Sequence, residues 1–230
     1  MMKTIDDKII ISLRKRGRGA VFSTDEYSHY GNPDAVQKAL SRMVQRGWLI
    51  HVCHGIYCYP KIDKALGMGM LFPTYEEIAH AIAKRDKVKI VPAGALAQNL
   101  LGLSTQVPMN VVFLTDGSNR KINIKNGRGI LFKHVSPKKL AFKDRLAMLI
   151  TTALRDYGED NITEEHLKQL NKVIEQHKEP FSTYDMKLMP LWIRNLITKI
   201  YEQLFLFDGN AETAGAATVQ KHDGIAGTSS

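Results

Sequence analysis

Residues 22–47 leave the chain little choice of fold. Phe22-Ser23-Thr24-Asp25-Glu26-Tyr27 puts Ser23 and Glu26 at capping-box spacing. Each side chain can then satisfy an orphan amide of the other's turn, with Phe22 and Tyr27 at the flanking staple positions. The pattern predicts a short helix ending at Gly31. Asn32 caps the next helix, Pro33 takes its first position, and Asp34 suits its positive end. Over residues 33–46, Val36, Ala39, Leu40, Met43 and Val44 fall at i, i+3, i+4, i+7 and i+8, so one face of this helix is core. Gly47 ends it, and Trp48 is expected to plug the core. Upstream, Ile5, Ile9 and Leu13 recur at helical spacing and stop by Gly17. Downstream, residues 49–59 alternate around His54-Gly55, as two strands with a tight turn between them. Three helices followed by a hairpin make a winged helix-turn-helix.

The face opposite that core carries Gln37, Lys38, Ser41, Arg42 and Gln45, side chains able to pair with base edges or phosphates in a major groove. Gln37 and Lys38 are the expected base readers. Arg14, Arg16, Arg18, Arg46 and Lys61, with His54 at the wing tip, stand where phosphates would pass. The charge agrees. Lys and Arg number 32 against 23 acids, for a net charge of +9, and ten of the cations with five of the acids lie in residues 1–61. Double-stranded DNA, an operator, is the expected partner, and no cofactor is needed. The alternative use of such a fold is as a scaffold for protein contact.

The remainder reads as mixed α/β and then helical, so the chain is expected to be α+β. The expected division is a winged-helix domain over 1–65, an α+β domain over 66–206, and a disordered tail over 207–230, where Gly, Ala, Thr and Ser take over. The stretch around Gly67, Gly69 and Pro73 reads as a linker. Helices are expected over 75–85, 93–101, 142–157, 164–176 and 189–205. Strands are expected over 88–91, 111–114, 121–124 and 129–134, the last two around an Asn126-Gly127 turn. No run approaches the roughly 18 apolar residues that span a bilayer. Residues 9–13 are too short an apolar stretch for a signal peptide. Two cysteines, Cys53 and Cys58, fit a reducing cytosol.

Three blocks carry a family resemblance. They are Gly17-Arg18-Gly19-Ala20-Val21-Phe22, Ala39-Leu40-Ser41-Arg42-Met43-Val44 and His54-Gly55-Ile56-Tyr57-Cys58-Tyr59-Pro60. They resemble the N-terminal part of the type IV antitoxins of the AbiEi abortive-infection type. Residues 99–108 and 112–117 resemble the next block of that family. The resemblance implies an antitoxin, not an enzyme, whose N-terminal domain represses its own operon. It also implies that the C-terminal domain opposes a nucleotidyltransferase-type toxin encoded alongside. One departure stands out: members of that family often carry Arg before the wing-tip Gly, and here the residue is His54.

Other constellations carry less. His51, Cys53, His54 and Cys58 lack the paired spacing of a zinc site. In a regular hairpin, His51, Cys53, Ile56 and Cys58 would share one face. Asp116 before Gly117 is the ordinary start of a turn, and no second carboxylate stands at useful spacing. A second basic cluster surrounds the later hairpin: Arg120, Lys121, Lys125, Arg128, Lys133, Lys138, Lys139, Lys143 and Arg145. It reads as a solvated face, with DNA or an acidic protein surface as its functional alternatives. Leu188, Leu191, Trp192, Leu196 and Ile200 are expected in the core, with Phe205 and Phe207 as a docking edge.

Overall fold

The computed structural model describes residues 4–65, 67–124, 129–177 and 179–216. It is α+β. The winged helix-turn-helix forms as its punctuation dictates. Helix α1 (Ile5–Arg16) starts from a Thr4–Asp7 capping box, and strand β1 (Ala20–Ser23) follows. The Ser23–Glu26 box then opens a helix of 3-10 type, Thr24–Tyr30, in place of an α-helix. Helix α2 (Pro33–Gln45) is capped by the Asn32 side chain, which accepts from the Ala35 amide at 2.8 Å. Strands β2 (Ile50–Cys53) and β3 (Ile56–Tyr59) make the wing, and the sheet order is β1-β3-β2. Ile9, Leu13, Phe22, Tyr27, Val36, Leu40 and Met43 close the core between helices and sheet.

Trp48 does not plug that core. It is 43% exposed, and the Arg46 guanidinium lies over its ring. Gly47 is the reason. At φ +71 it reverses the chain, and the Trp48 amide bonds back to the Met43 carbonyl. Leu49, one residue later, is what enters the core.

The expected linker is structured. Strands β4 (Lys61–Asp63) and β5 (Gly69–Leu71) pair antiparallel, and the Asp63 carboxylate accepts from the Ala65 amide. Helix α3 (Tyr75–Asp86), strand β6 (Ile90–Ala93) and helix α4 (Ala95–Leu100) follow. Strands β7 (Asn110–Thr115), β8 (Arg120–Asn123) and β9 (Gly129–His134) complete a sheet of order β6-β7-β9-β8, in which only the β7–β9 pairing is parallel. The expected Asn126-Gly127 turn lies outside the described residues. A helical unit ends the chain: α5 (Arg145–Tyr157), α6 (Glu164–Glu175), α7 (Thr183–Leu188) and α8 (Leu191–Ala216).

Two expectations about this last unit change. Ile200 is buried as expected and Trp192 and Leu196 pack half-buried against the same core, but Leu191 is 67% exposed, and Ile193 and Ile197 take the fully buried positions. The backbone also stays helical through Ala216, past the expected start of a tail at 207, across a segment containing Ala211, Glu212 and Ala214. Residues 217–230 lie outside the described residues.

The expected boundary near residue 65 is not a break in the core. The face of the wing sheet turned away from α1 and α2 packs on α3. There Val52, Ile56 and Cys58 share one cluster with Ile78, Ala79 and Ile82, and with Val111, Phe113, Ile130 and Phe132 of the four-stranded sheet. Helix α3 is thus held between two sheets. The helical unit covers the other side of the four-stranded sheet, where the Thr152 hydroxyl donates to the Pro92 carbonyl. Among the described residues, no helix is long and apolar enough to cross a membrane.

Candidate nucleic-acid interface

The α2 sequence puts its polar residues on one exposed side. Gln37, Lys38, Ser41, Arg42 and Gln45 are all exposed, while Val36, Ala39, Leu40 and Met43 are buried. Between this side and the wing runs a groove of about 750 Å³. Gln37, Ser41 and Gln45 line one wall, and His51, His54 and Gly55 of the wing line the other. Thr24 and Asp25 also line it. A second, shallower hollow continues over Asp34, Gln37, Lys38, Ser41, Arg42 and Gln45. Helix face and wing tip therefore form one continuous polar surface. Among the described residues Lys38 makes no ion pair, so its charge is available to a ligand.

The arginines are engaged to different degrees. Asp6, buried in the first turn of α1, accepts from Arg42 Nη2 at 2.5 Å and from its Nε at 3.3 Å, and Arg46 lies 3.7 Å away. This forked hydrogen bond to Asp6 raises Arg42's already high pKa and ties α1 to α2. Arg42 and Arg46 keep about half their side-chain surface exposed, yet one acid already offsets part of their charge. Arg16 pairs with Glu26 and donates to the Val21 carbonyl.

Arg14, Arg18 and Lys61 stand apart from the groove. Arg14 and Arg18 line a different hollow, with Ile10, Trp48, Tyr59 and Ile62. The cause is the Gly17–Gly19 turn. Gly19, at φ +95, donates to the Tyr59 carbonyl, which carries Arg18 onto the Tyr59 ring at 4.9 Å and onto the Pro60 carbonyl. Lys61 packs its aliphatic chain where a Cβ on Gly19 would sit. Of the eleven residues picked from the sequence, Gln37, Lys38, Ser41, Arg42, Gln45 and His54 share one surface. Arg46 flanks its end and Arg16 lies behind Glu26.

The structure adds two residues from outside the winged helix. Arg85, in the last turn of α3, lines the same groove and donates from Nη1 to the His54 carbonyl at 3.1 Å. Lys84 reaches Glu26 at 2.8 Å. Glu26 thereby accepts from Lys84, Arg16 and its own cap amide. Burial raises its pKa, but these partners more than offset that and hold it below the usual range. Asp86 binds both Arg85 and Arg120, and its pKa is lowered although burial opposes this. Sequence spacing gave no sign of these contacts, because Arg85 is 31 residues from His54.

The cysteines are parts of the packing. The hairpin register shifts between His51 and Cys53, which breaks the alternation expected there. The His51 ring lies tilted against the Tyr57 ring, whereas Cys53 and Cys58 lie against the α3 cluster. The two histidine and cysteine sets do not converge. Burial, with Glu77 nearby, pushes the Cys58 thiol up to about 11. Asp116 accepts from the Lys89 amide at 2.8 Å, a bond between strand ends. Of the second basic cluster, Arg120 is paired with Asp86 and Arg145 with Glu76, while Lys143 lies over the Tyr184 ring. Lys125 and Arg128 lie outside the described residues.

Fold and surface together define an α+β protein built on a winged helix-turn-helix. Its polar helix face and wing form one groove, and a second unit is fused to the back of the wing sheet. The chain belongs to the family described as "Family of unknown function (DUF6088)", whose profile matches residues 8–180. No curated protein matches the sequence.

Proposed function

We propose that this chain is a DNA-binding antitoxin of a type IV toxin–antitoxin pair. It acts in the cytosol, represses its own operon through the winged helix, and opposes a nucleotidyltransferase-type toxin through the unit that follows. The observation that carries the DNA reading is the groove in which Gln37, Ser41 and Gln45 face His51 and His54, beside Lys38, which makes no ion pair among the described residues. A helix in the major groove with a wing over the neighbouring backbone uses such a surface. The antitoxin reading is supported by the blocks at 17–22, 39–44, 54–60, 99–108 and 112–117, which resemble that family.

Two assays test it. The purified chain should retain a duplex of its own upstream sequence, with an affinity that falls steeply as salt rises. Co-expression should restore growth to cells poisoned by the adjacent nucleotidyltransferase-type gene. Rescue without retention of any duplex would leave the winged helix as a scaffold for protein contact. Retention without rescue would make the chain a plain repressor.

A further inference from the structure

The wing tip lacks a cation of its own. His54 and Gly55 form the turn, and neither carries a permanent charge. Each tip carbonyl is held from a different side. Gly55's accepts from the Thr24 amide at 3.0 Å, within the winged helix. His54's accepts from Arg85 Nη1 at 3.1 Å, from α3. A Cβ built on Gly55 would lie 3.4 Å from Arg85 Nη1, so the guanidinium is in contact with the tip. Asp86 lies between Arg85 and Arg120, and one carboxylate against two guanidiniums leaves a net positive charge.

Arg85 also has hydrogen bonds to spare. A guanidinium carries five N–H donors. Nε is spent on Asp86 and one Nη1 proton on His54, which leaves three. The side chain is 20% exposed and lines the groove between wing and α2.

We propose that Arg85, supplied by the second unit, is the wing's phosphate-binding cation: it braces the His54 carbonyl with one N–H and offers its remaining donors to a backbone phosphate of bound DNA. This rests on the DNA-binding reading above. It assigns the wing contact to a residue outside the winged helix, and it makes that contact depend on α3.

The experiment uses the full chain with a labelled duplex of its own upstream sequence and a scrambled duplex of equal composition, titrated over a salt series. Arg85→Gln removes the charge and, its amide standing at the Nε position, also gives up the Nη1 bond to the His54 carbonyl; Arg85→Lys, which keeps the charge without the guanidinium fork, separates the two losses. Its log–log salt slope should be shallower by about 0.9 on both duplexes, the loss of one phosphate contact. Arg85→Lys should keep most of the wild-type slope. Thermal melts of all three proteins check folding, and Arg85→Gln should melt with a single transition. A wild-type slope in Arg85→Gln would overturn the proposal and leave Arg85 as a brace for the wing. Wild-type protein that retains neither duplex would overturn the DNA-binding reading, and this proposal with it.

Discussion

Asp6 and Glu26 show how single acids set the positions of the cations around them. Asp6 sits in the first turn of α1, where an acid is favoured by the helix end, and is buried against Arg42 and Arg46. Arg42→Ala would leave that carboxylate with Arg46 alone at 3.7 Å. The expected result is a melting temperature lower by several degrees, and Arg42→Lys should recover only part of it because the fork is lost. Any loss of DNA binding in Arg42→Ala therefore has to be read beside its melting curve.

Glu26 has a pH signature. Its pKa is depressed in the folded chain, so its stabilisation is complete above the ordinary glutamate range and is lost as pH falls through the folded value. Glu26→Gln should cost about 1–3 kcal/mol at neutral pH. The difference from wild type should shrink towards zero on acidification, as read by denaturant melts across pH. A gap that persists below the folded value would mean packing, not charge, is what Glu26 contributes.

At the scale of elements, what was legible was what the chain writes locally. Ser23–Glu26, Asn32-Pro33 and Gly47 each act within a few residues, and the helices they bound were readable from them. Asn32→Ala should cost about 1 kcal/mol, and Asn32→Asp should cost little, because a carboxylate also caps the Ala35 amide. Chemical denaturation followed by circular dichroism measures both. What failed was what needs a partner from elsewhere. Strand β1 is four residues long and exists because β3 pairs with it. The β4–β5 hairpin hides in a Gly-rich stretch. The shift between His51 and Cys53 moves side chains between faces without leaving a mark in residue spacing. On α8, Ile200 was placed in the core correctly but Leu191 was not, because apolar residues lie on more than one side of the helix.

For the whole molecule, the winged helix and the unit after it are one packed body at their contact. Val52, Ile56 and Cys58 are buried against α3. A fragment ending at residue 65 would expose them, although its own helical core is complete. Such a fragment is expected to bind a hydrophobic dye and to unfold over a broad range, whereas the full chain melts sharply. A fragment that melts as cooperatively as the full chain would show that the wing sheet does not depend on α3. The candidate site divides the same way. The polar face of α2 was readable from helical spacing. The Arg85 brace, the removal of Arg14 and Arg18 to another hollow and the packing of Lys61 on Gly19 were not, because they depend on where α3 and the Gly17–Gly19 turn place the chain.

The most direct test of the central claim, that the α2 face and the wing read duplex DNA, is the ratio of affinities for the chain's own upstream duplex and a scrambled duplex at fixed salt. The wild-type protein should prefer its own sequence. Gln37→Ala should lower that preference about 10- to 100-fold while leaving affinity for the scrambled duplex nearly unchanged, as loss of a base contact does. Equal affinity of the wild-type protein for both duplexes, or a preference that Gln37→Ala and Lys38→Ala leave intact, would contradict it.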